Sequence, residues 1–389
     1  MAEAKATPRI TFQNVSKSFG DLRALDDVSF HVRDGQIVAL LGENGAGKTT
    51  AMNVLSGLYL PDRGRIFVDG EPLKVGTPRA SLDAGIGMVH QQFKLVETLT
   101  GFENLSLALH RGWFRQPSRP DQALRALMDD LGFELDLERA VWQMPLGIRQ
   151  QLEILRVLAG GARTLILDEP TSVLSPFETE KLFQLLRRIS DSGRSVILIS
   201  HKLKEVMEAA DRVIVMRGGK VVHEDDVAMI DRQRLASLIA GDRTIARDSR
   251  PVANIGQPVL EISALTVEND LGLPAVRDVS MTISGGELVA LIGVAGNGQT
   301  ELLDAIGGLR PMAAGSIKAP MESGRRDFAF IPAQHLGTGL APGLDIIDNA
   351  LLGHQRSPLF GRWINKEKAS SFATEVAARF GAKVEGNGP

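Results

Sequence analysis

Ile37-Val38-Ala39-Leu40-Leu41, Leu165-Ile166-Leu167 and Val196-Ile197-Leu198-Ile199 carry no polar position. A strand that is apolar at every residue is covered on both faces, as in a parallel sheet. Between these runs the spacing is helical, with Leu182, Phe183, Leu185, Leu186 and Ile189 on one face of Glu178–Ile189 and a further helix over about Ile148–Ala159. Strands alternating with helices predict an α/β fold whose ligands gather at the carboxyl ends of the strands.

Elsewhere polarity alternates. After a loose arm over residues 1–9, Ile10-Thr11-Phe12 and Val28–Val32 read as strands of a half-exposed antiparallel sheet. Arg65–Val68 and Ile86–Val89 predict two more strands, and Arg212–Met216 with Lys220–His223 a hairpin turning at Gly218-Gly219. From Gly101 to Leu135 the pattern is helical, broken by the basic stretch Arg111–Pro120. Trp113 and Phe114 there could suggest RNA contact, but an exposed loop on a helical subdomain is the stronger expectation.

A polar stretch without periodicity, residues 241–257, predicts a linker, and beyond it the pattern begins again. Leu25-Asp26-Asp27-Val28-Ser29-Phe30 is echoed by Val276-Arg277-Asp278-Val279-Ser280-Met281, and Val38–Gly42 by Val289–Gly293, at a constant offset of 251 residues. The offset holds at Gly57-Leu58 against Gly308-Leu309 and at Gly64 against Gly315. This predicts a duplicated domain: the first copy over residues 1–240, the second over 258–389.

The strand Ile37–Leu41 runs into Gly42-Glu43-Asn44-Gly45-Ala46-Gly47-Lys48-Thr49-Thr50, a complete G-x-x-x-x-G-K-[ST] pattern opening a helix. Its glycines let backbone N–H groups curl around phosphate oxygens, Lys48 neutralises them, and the Thr49 hydroxyl ligates Mg²⁺. A plain tight turn is the bland alternative, and the strand–loop–Lys-Thr–helix context weighs heavily against it. Asp168 and Glu169 close a buried strand, where one carboxylate can hold Mg²⁺ through water and the next can polarise a water for attack on a γ-phosphate. Taken alone they could equally be an acidic turn; the upstream cradle favours the chemical role. Gln91 and His201 also end strands, hence near the same sheet edge. Phe19 reads equally well as a core or hairpin aromatic or as a face on which adenine stacks.

Composition bounds the rest. At 389 residues the chain suits two or three domains, and 43% hydrophobic with 23% charged is a globular composition. No apolar run approaches the ~18 residues of a bilayer span, so any membrane role needs a partner. The polar N-terminus lacks a signal-peptide core, which predicts a cytoplasmic chain. With 44 basic and 47 acidic residues, charge gives no reason to expect general nucleic-acid binding, and zero cysteines exclude disulfides and thiolate zinc sites.

On these motifs the chain resembles the ATP-binding subunits of ABC transporters across nearly all of residues 8–389. The resemblance implies a P-loop ATPase domain with a parallel core sheet, an antiparallel β subdomain and a helical subdomain. It makes Phe19 the adenine-stacking position, Gly42–Thr50 the Walker A loop binding ATP, and Gln91 the Q-loop residue contacting Mg²⁺ or water. Leu165–Glu169 become Walker B, with Asp168 on Mg²⁺ and Glu169 as base, and His201 the switch histidine. A doubled domain without membrane helices, with Gly87-Met88-Val89-His90-Gln91 and Ser200-His201-Lys202-Leu203, is similar to the importers of simple sugars and nucleosides. Thr98-Leu99-Thr100 with Glu103-Asn104-Leu105 leans towards their nucleoside branch. Such subunits sit peripherally on the cytoplasmic face of the inner membrane. Their partners are two transmembrane permease subunits and, indirectly, an external substrate-binding protein.

Three departures stand out. The signature motif, L-S-G-G-Q in the family, falls at Met144-Pro145-Leu146-Gly147-Ile148, and only Gly147 matches. The aspartate usual after Walker B is replaced in Ser172-Val173-Leu174-Ser175. In the second copy the cradle reads Gly293-Val294-Ala295-Gly296-Asn297-Gly298-Gln299-Thr300, with Gln299 in place of the lysine. In the family's head-to-tail arrangement Gln299 would face Met144–Ile148, and up to Pro389 no second signature, Walker B or switch histidine occurs. Two other readings stay open: a soluble ABC ATPase acting on ribosomes or nucleic acid, and a product that binds nucleotide without turnover because its second copy is incomplete.

Overall fold

The computed structural model describes residues 7–90, 93–109, 122–172, 174–240, 255–293, 296–319, 321–322, 325–326, 329–332, 339–352 and 365–380. The chain divides into two compact units, residues 1–250 and 251–389.

The first unit begins with β1 (Ile10–Phe19), β2 (Leu22–Val32), β3 (Ile37–Leu41), α1 (Lys48–Leu55), β4 (Arg63–Val68), β5 (Glu71–Pro72), α2 (Pro78–Asp83) and β6 (Ile86–Val89). Next come α3 (Gly101–Leu109), α4 (Gln122–Leu131), α5 (Leu146–Ala159), β7 (Thr164–Asp168), α6 (Pro176–Asp191) and β8 (Ser195–Ile199). The unit ends with α7 (Leu203–Ala209), β9 (Arg212–Arg217), β10 (Lys220–Asp226) and α8 (Arg232–Ala240).

These strands form two sheets. An antiparallel sheet of order β2-β1-β4-β5 packs beside a six-stranded sheet of order β10-β9-β3-β8-β7-β6, parallel except for its β10 edge. The apolar runs are its central strands, and alternate side chains enter different cores. Ile37, Ala39 and Leu41 join Leu152, Leu155 and Leu185 on the helical side, while Val38 and Leu40 join Met52, Phe12 and Val28 on the other. Burial of each such aliphatic side chain contributes roughly 1.5–3 kcal/mol, so a polar residue at any β3 position would cost one core or the other.

Helix starts differ slightly from the sequence reading. α6 begins at Pro176 because Ser175 caps it, its hydroxyl accepting from the Glu178 N–H while the Glu178 carboxylate accepts from the Ser175 N–H. The loose arm ends earlier than expected. Arg9 is buried, donating to Thr164 Oγ1 (3.3 Å) and Ala84 O (2.7 Å) and pairing with Asp69. A guanidinium with all these partners can enter a core that a hydropathy pattern denies it. The Arg111–Pro120 stretch, with Trp113 and Phe114, and linker residues 241–254 lie outside the described residues.

The second unit contains β11 (Pro258–Glu268), β12 (Pro274–Ser284), α9 (Gln299–Gly307), β13 (Ala314–Lys318), α10 (Ile346–Leu352) and α11 (Lys366–Arg379). Its sheet order β12-β11-β13 repeats β2-β1-β4. The repeat reaches individual hydrogen bonds: Asp27 N–H donates to Ser16 Oγ and Asp278 N–H to Thr266 Oγ1, while Asn14 N–H donates to Ser29 Oγ and Ala264 N–H to Ser280 Oγ. At Leu288–Gly293, the echo of β3, it fails. The segment forms no strand, and Leu288 and Ile292 are 80% and 91% exposed. In the first unit β3 lies between β8 and β9; among the described residues Leu288–Gly293 belongs to no sheet.

Candidate active site

The sheet order brings the motifs together. β7 and β8 lie beside one another with β3 next in line, all parallel, and Asp168 stands opposite Ile199 in register. The chain therefore leaves β3 at Gly42, β7 at Glu169 and β8 at Ser200 along one edge of the sheet, as predicted for ligands at strand carboxyl ends.

The Gly42–Gly47 loop is held by close backbone packing. A Cβ on Gly42 would stand 2.3 Å from Met216 O, and one on Gly47 would stand 2.5 Å from Ala24 O. Gly47 caps α1 with φ 99°, a left-handed conformation that costs an L residue energy. Gly47→Ala is expected to destabilise the protein by more than about 1 kcal/mol and to weaken nucleotide binding; a melting temperature and affinity equal to wild type would show that the packing does not constrain the loop.

Lys48, at the first turn of α1, is buried, its Nζ donating to Gly42 O (2.8 Å) and Glu43 O (2.9 Å). Burial lowers its pKa from the ordinary lysine value, and the charges of Glu169 and Asp168 oppose that shift. The Thr49 hydroxyl donates to Asp168 Oδ2 at 3.5 Å. Burial raises the Asp168 pKa and the neighbouring Glu169 raises it further, against Lys48 and the Thr49 bond. His201 Nδ1 lies 2.9 Å from Glu169 Oε1. Glu169 itself has φ 47°, uncommon for a non-glycine residue and a form of strain that gathers at functional sites. Its N–H is tied to Ile199 O (3.0 Å) and its carbonyl to the Ser172 N–H (3.2 Å).

Gly42, Asn44, Thr49, Asp168, Glu169 and His201 line one cleft of about 760 Å³. A second cleft of about 460 Å³ shares Asn44, Thr49, Asp168 and Glu169, adds Gly45–Lys48 and Thr50, and extends to Phe19 and Leu22. Phe19 is not a core residue; it closes the β1–β2 hairpin opposite Leu22. It is 41% exposed at the end of β1, with Tyr59 edge-on at 5.2 Å and Lys17 Nζ 5.5 Å from its ring centre. Gln91 lies outside the described residues.

The donors suit a Mg²⁺–nucleotide. A hydroxyl and a carboxylate, Thr49 and Asp168, are hard oxygen donors, and Mg²⁺ is usually held by few protein ligands together with substrate phosphates and waters.

At the signature position, Pro145 caps α5 without a side-chain bond, and its carbonyl accepts the Ile148 and Arg149 N–H groups at 3.0 Å each. In the second cradle Gly296 and Gly298 keep left-handed turns, each with φ 90°, and Gly298 caps α9. Gln299 replaces the ammonium with an amide packed tightly on Gly293, where a Cβ would stand 2.0 Å from its Nε2. Val294 and Ala295 of that cradle lie outside the described residues.

Two polar residues of the surroundings, Gln150 and Lys202, make contacts that residue type alone does not reveal. Gln150 Nε2 donates to Pro170 O (2.8 Å), tying α5 to the turn after Glu169. Lys202 Nζ donates to Thr171 O (3.0 Å) and pairs with Glu205 (2.9 Å), fixing the same turn from α7. The available signal was a pair of polar residues, Gln150 and Glu153, on the buried face of an otherwise apolar helix.

Comparison with known proteins agrees with this geometry. The sequence profile of the ABC transporter family matches residues 25–172 and 276–384. A guanosine import ATP-binding protein of Bacillus subtilis is 40% identical, over 88% of this chain and 69% of that protein. A glucose import ATP-binding protein of Haloferax volcanii is 35% identical, over 91% and 72% respectively. Among solved structures, a nucleotide-free ATP-binding cassette from an ABC transporter superposes with TM-score 0.53 at 21% identity, covering 61% of this chain and 98% of that one. The chain is thus a member of the ABC transporter family and carries its ATP-binding cassette fold.

Proposed function

We propose that this chain hydrolyses ATP to energise import of a small polar solute, of nucleoside or simple-sugar type, through partner permeases. The observation that carries the reading is the convergence of Lys48, Thr49, Asp168, Glu169 and His201 on one sheet edge. The chemistry of the solute follows the names of its relatives, which import guanosine, glucose, nucleosides and ribose.

In this reading the backbone N–H groups of Gly42–Thr50 and the Lys48 ammonium hold the phosphates, and Phe19 offers its exposed ring to adenine. Thr49 and Asp168, with Gln91, would hold Mg²⁺, which when bound neutralises phosphate charge. Glu169 takes the proton of the attacking water; His201, bonded to its Oε1, orients that carboxylate and reaches towards the γ-phosphate. No helix among the described residues is long and apolar enough to cross a membrane. In this reading transport runs through two membrane permease subunits, and the chain would act at the cytoplasmic face of the inner membrane, with an external binding protein selecting the solute.

The test is reconstitution with the permeases in vesicles. ATP turnover that rises with solute-loaded binding protein and drives solute accumulation is expected; turnover indifferent to solute and permease would end the import reading. Gln299→Lys supplies a second measurement. Restoring a charge-assisted phosphate contact, of order 1.5–3 kcal/mol, is expected to raise bound nucleotide from about one per chain towards two in equilibrium dialysis. No change would mean that the second cradle lacks more than its lysine.

A further inference from the structure

Tyr59 and Phe19 stand at the surface, 38% and 41% exposed, with ring centres 5.2 Å apart in a T-shaped pair at 73°. A lone exposed aromatic needs no explanation, but two set against each other and fastened from separate elements do. Phe19 ends β1, and Lys17 Nζ beside its ring is held by Asp62 Oδ1 at 2.9 Å. Asp62 Oδ2 accepts the Ser18 N–H (2.7 Å), and the Asp62 N–H donates to Ser16 O (2.8 Å), so the end of β1 is pinned on three sides. Tyr59 is fixed by α1 instead: its N–H and that of Leu58 both donate to Asn53 O, at 3.2 and 2.9 Å. One short helix thus begins at Lys48 in the phosphate cradle and ends at the turn that carries Tyr59. The cleft lined by Gly45–Thr50 reaches Phe19 at its other end without including Tyr59, so Tyr59 acts on a ligand there through the Phe19 ring.

We propose that Tyr59 is a positioning residue for the nucleobase. An exposed phenylalanine ring turns among several rotamers; the T-shaped contact selects one of them, so the stacking face is set before the nucleotide arrives and its ordering costs no affinity on binding. Because Tyr59 rides on α1, the plane of that face is referred to the helix whose first turn meets the phosphates. A ligand with a base gains from the pair, and a bare phosphate chain gains nothing. This inference rests on the adenine-stacking role given to Phe19 under the proposed function.

The test compares two ligands on the full chain, Mg²⁺-ATP and Mg²⁺-tripolyphosphate, which offers the phosphates without the base. Tyr59→Ala is expected to weaken ATP binding about three- to ten-fold, the scale of one aromatic pair, and to leave tripolyphosphate binding unchanged. Tyr59→Phe keeps the ring and is expected to restore wild-type affinity for ATP. Phe19→Ala is the reference, with a loss at least as large and again confined to ATP. Tyr59 is the only tyrosine in the 389 residues, so 3-fluorotyrosine labelling of the wild-type chain gives a single fluorine resonance, a second measurement that needs no variant to fold. It is expected to shift on addition of ATP and to stay in place with tripolyphosphate. The proposal is overturned if Tyr59→Ala weakens both ligands alike, which is the mark of a merely structural role. It is overturned equally if Tyr59→Ala binds ATP like wild type while Phe19→Ala does not, or if the fluorine resonance responds to both ligands in the same way. Should Phe19→Ala also bind ATP like wild type, the adenine role of Phe19 falls, and the role of Tyr59 falls with it.

Discussion

Glu169→Gln is expected to lower ATP turnover by about 10²–10⁴-fold while leaving nucleotide affinity within about two-fold, the range for removal of a positioned general base. The amide is nearly isosteric with the carboxylate and keeps an oxygen towards His201, which lies 2.9 Å from Glu169 Oε1, so the fold and the cleft should survive. What it cannot do is take a proton from water. Single-turnover measurements with a separate binding titration would separate the two effects. Wild-type turnover in the variant would transfer the base role to another group, and a parallel loss of affinity would make Glu169 a binding residue.

Lys48→Gln is the complementary experiment, because it gives the first cradle the residue found in the second. The amide can still donate to Gly42 O and Glu43 O, which Lys48 contacts at 2.8 and 2.9 Å. It carries no charge to replace those contacts with phosphate. Loss of charge-assisted hydrogen bonds worth about 1.5–3 kcal/mol predicts a fall in ATP affinity of roughly 10–150-fold. Calorimetric titration measures it; an affinity within two-fold of wild type would place the phosphate grip in the backbone alone.

Most of the proposed site was legible in the sequence because its residues follow closely on unmistakable strands. Ile37–Leu41, Thr164–Asp168 and Ser195–Ile199 are apolar on both faces, and parallel pairing brings their carboxyl ends to one edge without knowledge of any long-range contact. The duplication was legible for the same reason, since a repeated pattern of burial repeats the fold. What escaped was polar chemistry inside the core. Arg9 reads as part of an arm, and its three partners, Asp69, Ala84 and Thr164, are 60 to 155 residues away in sequence. Glu153 reads as one more charge on a helix until α5 is packed and its position becomes interior. Strain at Glu169 is likewise invisible in residue types, because left-handed backbone normally announces itself as glycine. Leu288–Ile292 shows the opposite limit: an apolar run that echoes β3 in sequence forms no strand there.

The glycine that caps α9 bears on how such chains diverge after duplication. Gly298 keeps its left-handed turn beside a lysine-free cradle, and a Cβ there would stand 2.4 Å from Ala275 O. Selection for folding alone is therefore enough to preserve that glycine, whether or not the cradle holds phosphate. In a duplicated cassette the turn is thus held by the chain's own packing, independently of the residue that follows it.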